Sequence, residues 1–299
     1  MQGGSPFPFR PTPGRKRAPR VRRSPWVTAP TWHYGVVAHW WAEFNTTGPE
    51  IDYFRRHVEA GQPALDLACG TGRLLLPYLR DGLDVDGADV SADMLALCRE
   101  AAEREGLAPN LYAQPKHELD LPRRYRTIFM CGALGVGSTR AEDMQALKRV
   151  HDHLEPGGTF VFDNETPYAE GNGWEYWQAP RRAELPPPRR PTGMHRVGSD
   201  GTEYELRSRV LDLDPLEQRM TMEMQSSMWR HGDLVAEEEH ELTLTLYFKD
   251  EILLMLERAG FVDLTVAAAL TDAEPTGAED FLVYTARRPS ELPCADGRE

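Results

Sequence analysis

Short apolar runs alternate with amphipathic stretches through the first half of the chain. Residues 63–68 (PALDLA), 83–91 (LDVDGADVS), 110–114 (NLYAQ), 127–132 (TIFMCG) and 159–165 (TFVFDNE) are short and almost continuously apolar, the pattern of strands buried on both faces. Between them lie segments with apolar positions three and four residues apart. In 49–60 these are Ile51, Phe54 and Val58, and 72–82, 91–106 and 141–158 also read as helices. Ser91 stands at an N-cap, Gly82 and Gly106 at stops, Pro77 inside a helix it is expected to kink, and Pro156-Gly157-Gly158 at a turn. An aromatic segment, 31–44, precedes this series with Trp40, Trp41 and Phe44 near helical spacing. Strands alternating with helices predict a parallel sheet covered on both faces, with right-handed crossovers.

The period changes after Pro167. Residues 201–214, 217–232 and 241–248 alternate with period two, which places Met220, Met222, Met224 and Met228 on one face of a strand and Leu242, Leu244, Leu246 and Phe248 on one face of another. This predicts an antiparallel meander with one apolar face, entered through a Pro- and Trp-rich loop at 172–191. A helix at 250–261 and a strand pair at 262–270 and 280–288 then complete the α/β unit. The expected fold class is α/β, a doubly wound, mostly parallel seven-stranded sheet with an antiparallel β-meander insertion. The expected organisation is a basic tail at 1–29, an α/β domain at 30–167, a β-rich insertion at 168–247, a return to the α/β domain at 248–288, and a tail at 289–299.

Charge narrows the function. The formal net charge of −13 conceals seven basic residues and no acid in residues 1–23, which leaves 27 basic against 47 acidic residues in the rest. So acidic a body repels phosphate backbones, so nucleic acid is not the expected partner. The Pro/Gly/Arg composition of the tail cannot bury a core, and the tail is expected to be disordered. No apolar run approaches the roughly 18 residues that span a bilayer, and no secretory h-region precedes the first strand. No membrane partner is expected, and the location is expected to be cytoplasmic. Cys69, Cys98, Cys131 and Cys294 form no C-x-x-C pair and no zinc spacing, so no metal is expected.

The chemistry concentrates at 64–73 (ALDLACGTGR), where a strand ends in a carboxylate, two glycines follow and a helix begins. Gly70 and Gly72 allow a sharp turn and close approach of a ligand to the backbone, and the helix start offers free N–H groups to an anion. A phosphate-binding loop of the G-x-x-x-x-G-K type lacks its lysine here. A dinucleotide fingerprint lacks its third glycine, since Leu75 holds that position.

The run D-x-A-x-G-x-G resembles the first motif of class I S-adenosylmethionine-dependent methyltransferases. Asp89, at the end of the second strand, and the Leu154–Asn164 turn and strand resemble that family too. The resemblance implies S-adenosyl-L-methionine as cofactor. It implies that the backbone of Ala68, Gly70 and Gly72 cradles the methionine moiety, that Asp66 reaches its ammonium and Arg73 its carboxylate, and that Asp89 holds both ribose hydroxyls. Val90 and Met94 would lie by the adenine, and the Cys131 carbonyl would face the amino group of the cofactor. Gln114 stands where the family usually has an adenine-binding acid, with Glu118 and Asp120 as other substitutes nearby.

A hydroxyl or phenol acceptor needs a base more than an amine does. Candidates are His33 and Tyr34, before the first helix, and Asp163 and Glu165, at the end of the fifth strand. His151 and His153 are expected on the surface, near a helix C-terminus. The loop after the fourth strand lacks the Asn/Asp-Pro-Pro-Tyr run of enzymes methylating bases or glutamine. The meander resembles the late sheet of small-molecule methyltransferases. Its Met/Leu face, with Trp174, Trp177 and Trp229, is expected to roof a substrate pocket; its other use would be a homodimer contact. The expected function is methyl transfer to nitrogen or oxygen of a small-molecule acceptor. The alternatives are a methyltransferase acting on RNA or protein and a non-catalytic regulator that binds the same cofactor.

Overall fold

In the computed structural model, which describes residues 31–169 and 173–290, the apolar runs of the first half become neighbours in one sheet. The tail at 1–29, all but the first two residues of 289–299, and Cys294 lie outside the described residues.

The chain enters through α1 (Gly35–Phe44) and α2 (Glu50–Ala60). It then alternates: β1 (Ala64–Leu67), α3 (Leu75–Arg80), β2 (Val85–Asp89), α4 (Ala92–Arg104), β3 (Leu111–Ala113), β4 (Tyr125–Met130), α5 (Arg140–His153) and β5 (Leu154–Glu165). A short α6 (Ala179–Arg182) leads to β6 (Met194–Val197), β7 (Glu203–Asp214), β8 (Arg219–Arg230) and β9 (Asp233–Thr245). The chain closes with α7 (Lys249–Ala259), β10 (Val262–Ala268) and β11 (Phe281–Arg287).

The large sheet has the order β10-β11-β5-β4-β1-β2-β3, with β3 to β5 parallel and β11 antiparallel to both of its neighbours. Alternation along β4 divides the core. Ile128 and Met130 pack with the layer of α5 and α7, and Phe129 packs with that of α2, α3 and α4. Both layers are needed because a parallel sheet buries both faces. Strand order reverses between β1 and β4, and the crevice beyond their carboxyl ends is where ligands enter such sheets.

Ser91 caps α4 by accepting from the Met94 amide at 3.2 Å, as its spacing predicts. Pro77 falls in the first turn of α3, so it opens that helix and does not kink its middle. The expected surface placement of the two histidines is corrected. His153 is buried, with Nδ1 2.7 Å from the Arg149 carbonyl and Nε2 accepting from the Leu121 amide at 3.0 Å, while His151 packs edge-on against Phe261.

The meander is a separate four-stranded sheet in the order β6-β7-β8-β9. Its first strand, β6, comes from the stretch after the Pro-rich loop, where every position is exposed and no alternation marks a strand. The Met/Leu face buries α1. Met224 and Leu242 pack with Trp32, Val36, Val37 and Trp40. Trp229 lies on the opposite face of β8, near His195, so it does not join the methionines. Glu223 on that opposite face is buried and paired to Arg189 at 2.8 Å and Arg209 at 2.9 Å, which pins the Pro-rich loop to the sheet.

Candidate functional site

A cavity of about 370 Å³ crosses the carboxyl ends of β3, β2, β1, β4 and β5. Sheet order sets the order of its walls. Gln114 follows β3, Asp89 ends β2, Asp66 and Gly70 belong to β1 and its turn, Cys131 follows β4, and Asp163 lies in β5.

The turn after β1 is built by hydrogen bonds that leave its inner edge bare. Ala68 takes a left-handed φ of 65°, and its amide and that of Cys69 donate to the Ala88 carbonyl at 2.7 and 3.0 Å. Gly70, at φ +54°, has open space where a Cβ would stand. Gly72 differs. It does not line the cavity, and a Cβ there would lie 2.7 Å from Cys98 Sγ and 2.8 Å from Leu76 Cγ, so its small size serves the packing of the turn on α4.

Asp89 holds the turn from the next strand. Its Oδ2 accepts from the Gly70 amide at 2.9 Å and its Oδ1 from the Ser91 amide at 2.7 Å. Burial raises its carboxyl above the usual range, against the lowering effect of these amides. Each oxygen retains a further lone pair for a ligand hydroxyl. Val90 and Met94 stand on the same wall.

Asp66 is 2 % exposed and its Oδ2 has no hydrogen-bond partner. Burial pushes its carboxyl up to about 8, with Arg73 opposing and Asp89 adding to the shift. A buried unpaired carboxylate is costly, and a cationic group in the cavity would relieve that cost. The site therefore fits a ligand with an ammonium near β1 and vicinal hydroxyls near β2, the donor set of the implied cofactor.

Arg73 reaches across to β4. Nη1 binds Glu50 at 2.8 Å and Nη2 lies 3.3 Å from Cys131 Sγ. Burial raises the Cys131 thiol far above its ordinary value. Asp163 Oδ1 accepts from the Gly132 amide at 2.8 Å, and burial moves its carboxyl up to about 6. His33 also lines the cavity, with Nδ1 2.6 Å from Thr31 Oγ1, and burial lowers it to about 4, so its ring is neutral at neutral pH. Tyr34 and Glu165 do not line it: Tyr34 is the N-cap of α1 and Glu165 is exposed at the end of β5. The Gln114 side chain closes on the backbone of Asp120, accepting at 2.8 Å and donating at 3.2 Å, and its amide donates to the Asp89 carbonyl at 3.0 Å.

No residue of β6–β9 is among the cavity's lining residues. The roof comes from Thr31, His33, Trp41 and Asn45, and from the glycine loop after β4. The meander supports both. Glu238 of β9 accepts from the Val36 amide at 2.9 Å, and Gly137 and Thr245 exchange backbone bonds with Thr243 and Gly135 at 2.9 and 2.8 Å.

Sequence reasoning missed Lys116, Glu50 and Trp41. Lys116 donates to the Ala133 carbonyl at 2.7 Å and pairs with buried Asp143 at 3.1 Å, which also accepts from Ser138 at 2.7 Å and Tyr247 at 2.8 Å. One signal was available: Asp143 shares a helical stripe with apolar Ala146, Leu147 and Val150, and an acid in such a stripe calls for a partner. Glu50 carries no comparable mark.

Comparison with known proteins agrees with this geometry. Residues 64–158 match the family described as a methyltransferase domain. A putative methyltransferase of Geobacillus sp. (strain WCH70) is 24% identical over 271 residues, 85% of this chain and 99% of that protein. A dTDP-3-amino-3,6-dideoxy-alpha-D-glucopyranose N,N-dimethyltransferase of Streptomyces fradiae is 34% identical over 111 residues, 36% of this chain and 42% of that protein. Among solved structures, the sugar N-methyltransferase KedS8 of Streptoalloteichus sp. has a TM-score of 0.63 at 18% identity, covering 93% of this chain and 100% of its own. A methyltransferase of Clostridium acetobutylicum has 0.62 at 20%, covering 85% and 98%. The matched domain spans the glycine turn and the Asp89 strand, so residues 64–158 form a methyltransferase domain, and the fold around it is that of S-adenosylmethionine-dependent methyltransferases.

Proposed function

We propose that this enzyme methylates nitrogen or oxygen of a small molecule. The observation that carries the reading is the order of groups along the cavity. Asp89 and Asp66, whose Oδ2 has no partner, stand at β2 and β1, and a separate set of polar and aromatic groups stands at the β4–β5 end under α1.

In this reading Asp89 accepts hydrogen bonds from both ribose hydroxyls while its own oxygens stay anchored to the Gly70 and Ser91 amides. Asp66 holds the ammonium, and the backbone of Ala68 and Gly70 passes along the methionine moiety. Arg73 meets the carboxylate with donors not engaged by Glu50 and Cys131. Val90 and Met94 border the adenine, with the Gln114 backbone at its edge, and the Cys131 carbonyl serves the cofactor's amino group. When bound, S-adenosylmethionine supplies a methyl group on a sulfonium, open to in-line displacement by a lone pair. The chain's own work is to align the acceptor, exclude water and accept a proton. Asp163 and neutral His33 are the lining groups suited to the last task. The meander acts as a lid support through α1 and the glycine loop. The named amino-sugar methyltransferases among the relatives support a small acceptor, as does the acidic body of the chain.

Two measurements test the reading. Asp89→Ala is expected to weaken S-adenosylmethionine binding by about 1.5–3 kcal/mol, the worth of charge-assisted hydrogen bonds; unchanged affinity by calorimetry contradicts the ribose role. Labelled methyl groups are expected in the small-metabolite fraction of a cell extract, and label in tRNA, rRNA or protein contradicts the acceptor class.

A further inference from the structure

Acids outnumber bases in the cavity lining. Of Glu50, Asp66, Asp89 and Asp163, Glu50 is paired to Arg73, Asp66 and Asp89 stand at the cofactor end, and Asp163 stands at the acceptor end of the cavity. Its lysine and arginine linings, Arg73 and Lys116, are each already paired within the chain, to Glu50 at 2.8 Å and to Asp143 at 3.1 Å. At the β5 end the acidity continues outward. Glu165 is exposed beyond Asp163, and the loop between β10 and β11, its backbone joined to Thr166, carries Asp272, Asp280 and Glu279, the last closed on the Thr276 and Gly277 amides. Arg56, the cation on this side, is bound to Asp272 at 2.9 Å and lies over the Tyr53 ring. Trp41 and His33 also line the cavity, packed edge to face against each other.

We propose that the acceptor is an amine bearing no phosphate or carboxylate, recognised through its nitrogen by Asp163 between Gly132 and the aromatic roof. This deepens the small-molecule reading above and rests on it. Nucleotide-linked amino sugars, the substrates in the names of two relatives, carry a diphosphate. A diphosphate would meet like charges here with no unpaired lysine or arginine among the lining residues to receive it. An ammonium or amine N–H meets a carboxylate acceptor and aromatic faces, both favourable to positive charge. A neutral alcohol gains one charge-assisted hydrogen bond at the same place but brings no positive charge to the carboxylate and the rings.

The test uses the full chain saturated with S-adenosylhomocysteine and two matched probe sets. One is a hexosamine, its phosphomonoester and the parent hexose. The other is phenethylamine, phenethyl alcohol and phenylacetate. Calorimetry is expected to show at least one amine bound about tenfold or more tighter than its alcohol, with the phosphate and carboxylate bound more weakly still. Asp163→Asn, whose amide oxygen still accepts from Gly132, is expected to remove that preference and to leave S-adenosylhomocysteine affinity within about twofold. Equal binding of amine and alcohol, tighter binding of the anionic probes, binding of no amine, or a preference that survives Asp163→Asn overturns the inference. In a methyl-transfer assay, label on a phosphate-bearing or hydroxyl acceptor also overturns it while the small-molecule reading stands. Label confined to RNA or protein removes that reading instead.

Discussion

Asp66 carries the sharpest consequence at the scale of a single residue. Its carboxyl sits at about 8 in the fold against 3.8 in the ordinary state. Between those values the folded chain keeps a proton that the unfolded chain has lost. The contribution of this group to stability is therefore full below about pH 4 and falls as the pH rises to about 8. Asp66→Asn, which cannot ionise, is expected to melt at a higher temperature than the parent at about pH 8.5 and to gain little at about pH 4, as followed by calorimetric scans. Bound cofactor acts in the opposite direction on the same group. An ammonium placed beside Asp66 lowers its pKa, so binding at about pH 7 is expected to release close to one proton. Titrations in buffers of different ionisation enthalpy measure this directly, and zero release would separate Asp66 from the ligand's cation.

At the scale of an element, the turn between β1 and α3 assigns its two glycines to different duties. A Cβ on Gly70, a lining residue of the cavity, meets open space, whereas one on Gly72 collides with Cys98 and Leu76. Both positions have positive φ, so alanine carries backbone strain at either, on the order of 1 kcal/mol. Gly72→Ala adds overpacking of about 1–3 kcal/mol and is expected to lower the melting temperature most. Gly70→Ala is expected to cost less stability and to weaken cofactor binding more. Reversed effects in paired thermal and binding measurements would place the cradle on the other glycine. The D-x-A-x-G-x-G spacing shows that a tight turn is present but not that its glycines differ in surroundings, because these depend on where α4 packs.

At the scale of the whole molecule, α1 links the two sheets. Its hydrophobic side packs against the meander, Trp41 lines the cavity, and two distant carboxylates meet its first amides. Asp93 of α4 accepts from Gly35 at 2.8 Å and Glu238 of β9 from Val36 at 2.9 Å. His240 supports Glu238 at 3.0 Å. Removing a cap of this kind costs about 1 kcal/mol. Glu238→Ala is expected to speed amide exchange across residues 35–44 by about fivefold and to weaken cofactor binding, although Glu238 does not line the cavity. Unchanged exchange in α1 would mean that the meander does not steady the roof.

Much of this protein was legible without coordinates. Two-faced burial of short strands, helix caps and a glycine turn followed by an acid at the next strand's end are local patterns, and local patterns predict the sheet, its helices and the turn that Asp66, Gly70 and Asp89 share. The alternation of β8 likewise predicted an apolar face. What that face covers was decided only by tertiary structure: a run of methionines states how much area must leave water but not which surface covers it, and here α1 and the loop of Tyr176, Trp177 and Leu185 cover it. The same holds for the pairing of Lys116 with Asp143, the burial of His153 and the placing of Tyr34 and Glu165 outside the cavity lining. Each depends on the meeting of segments far apart in the chain, and no periodicity within one segment encodes the position of another.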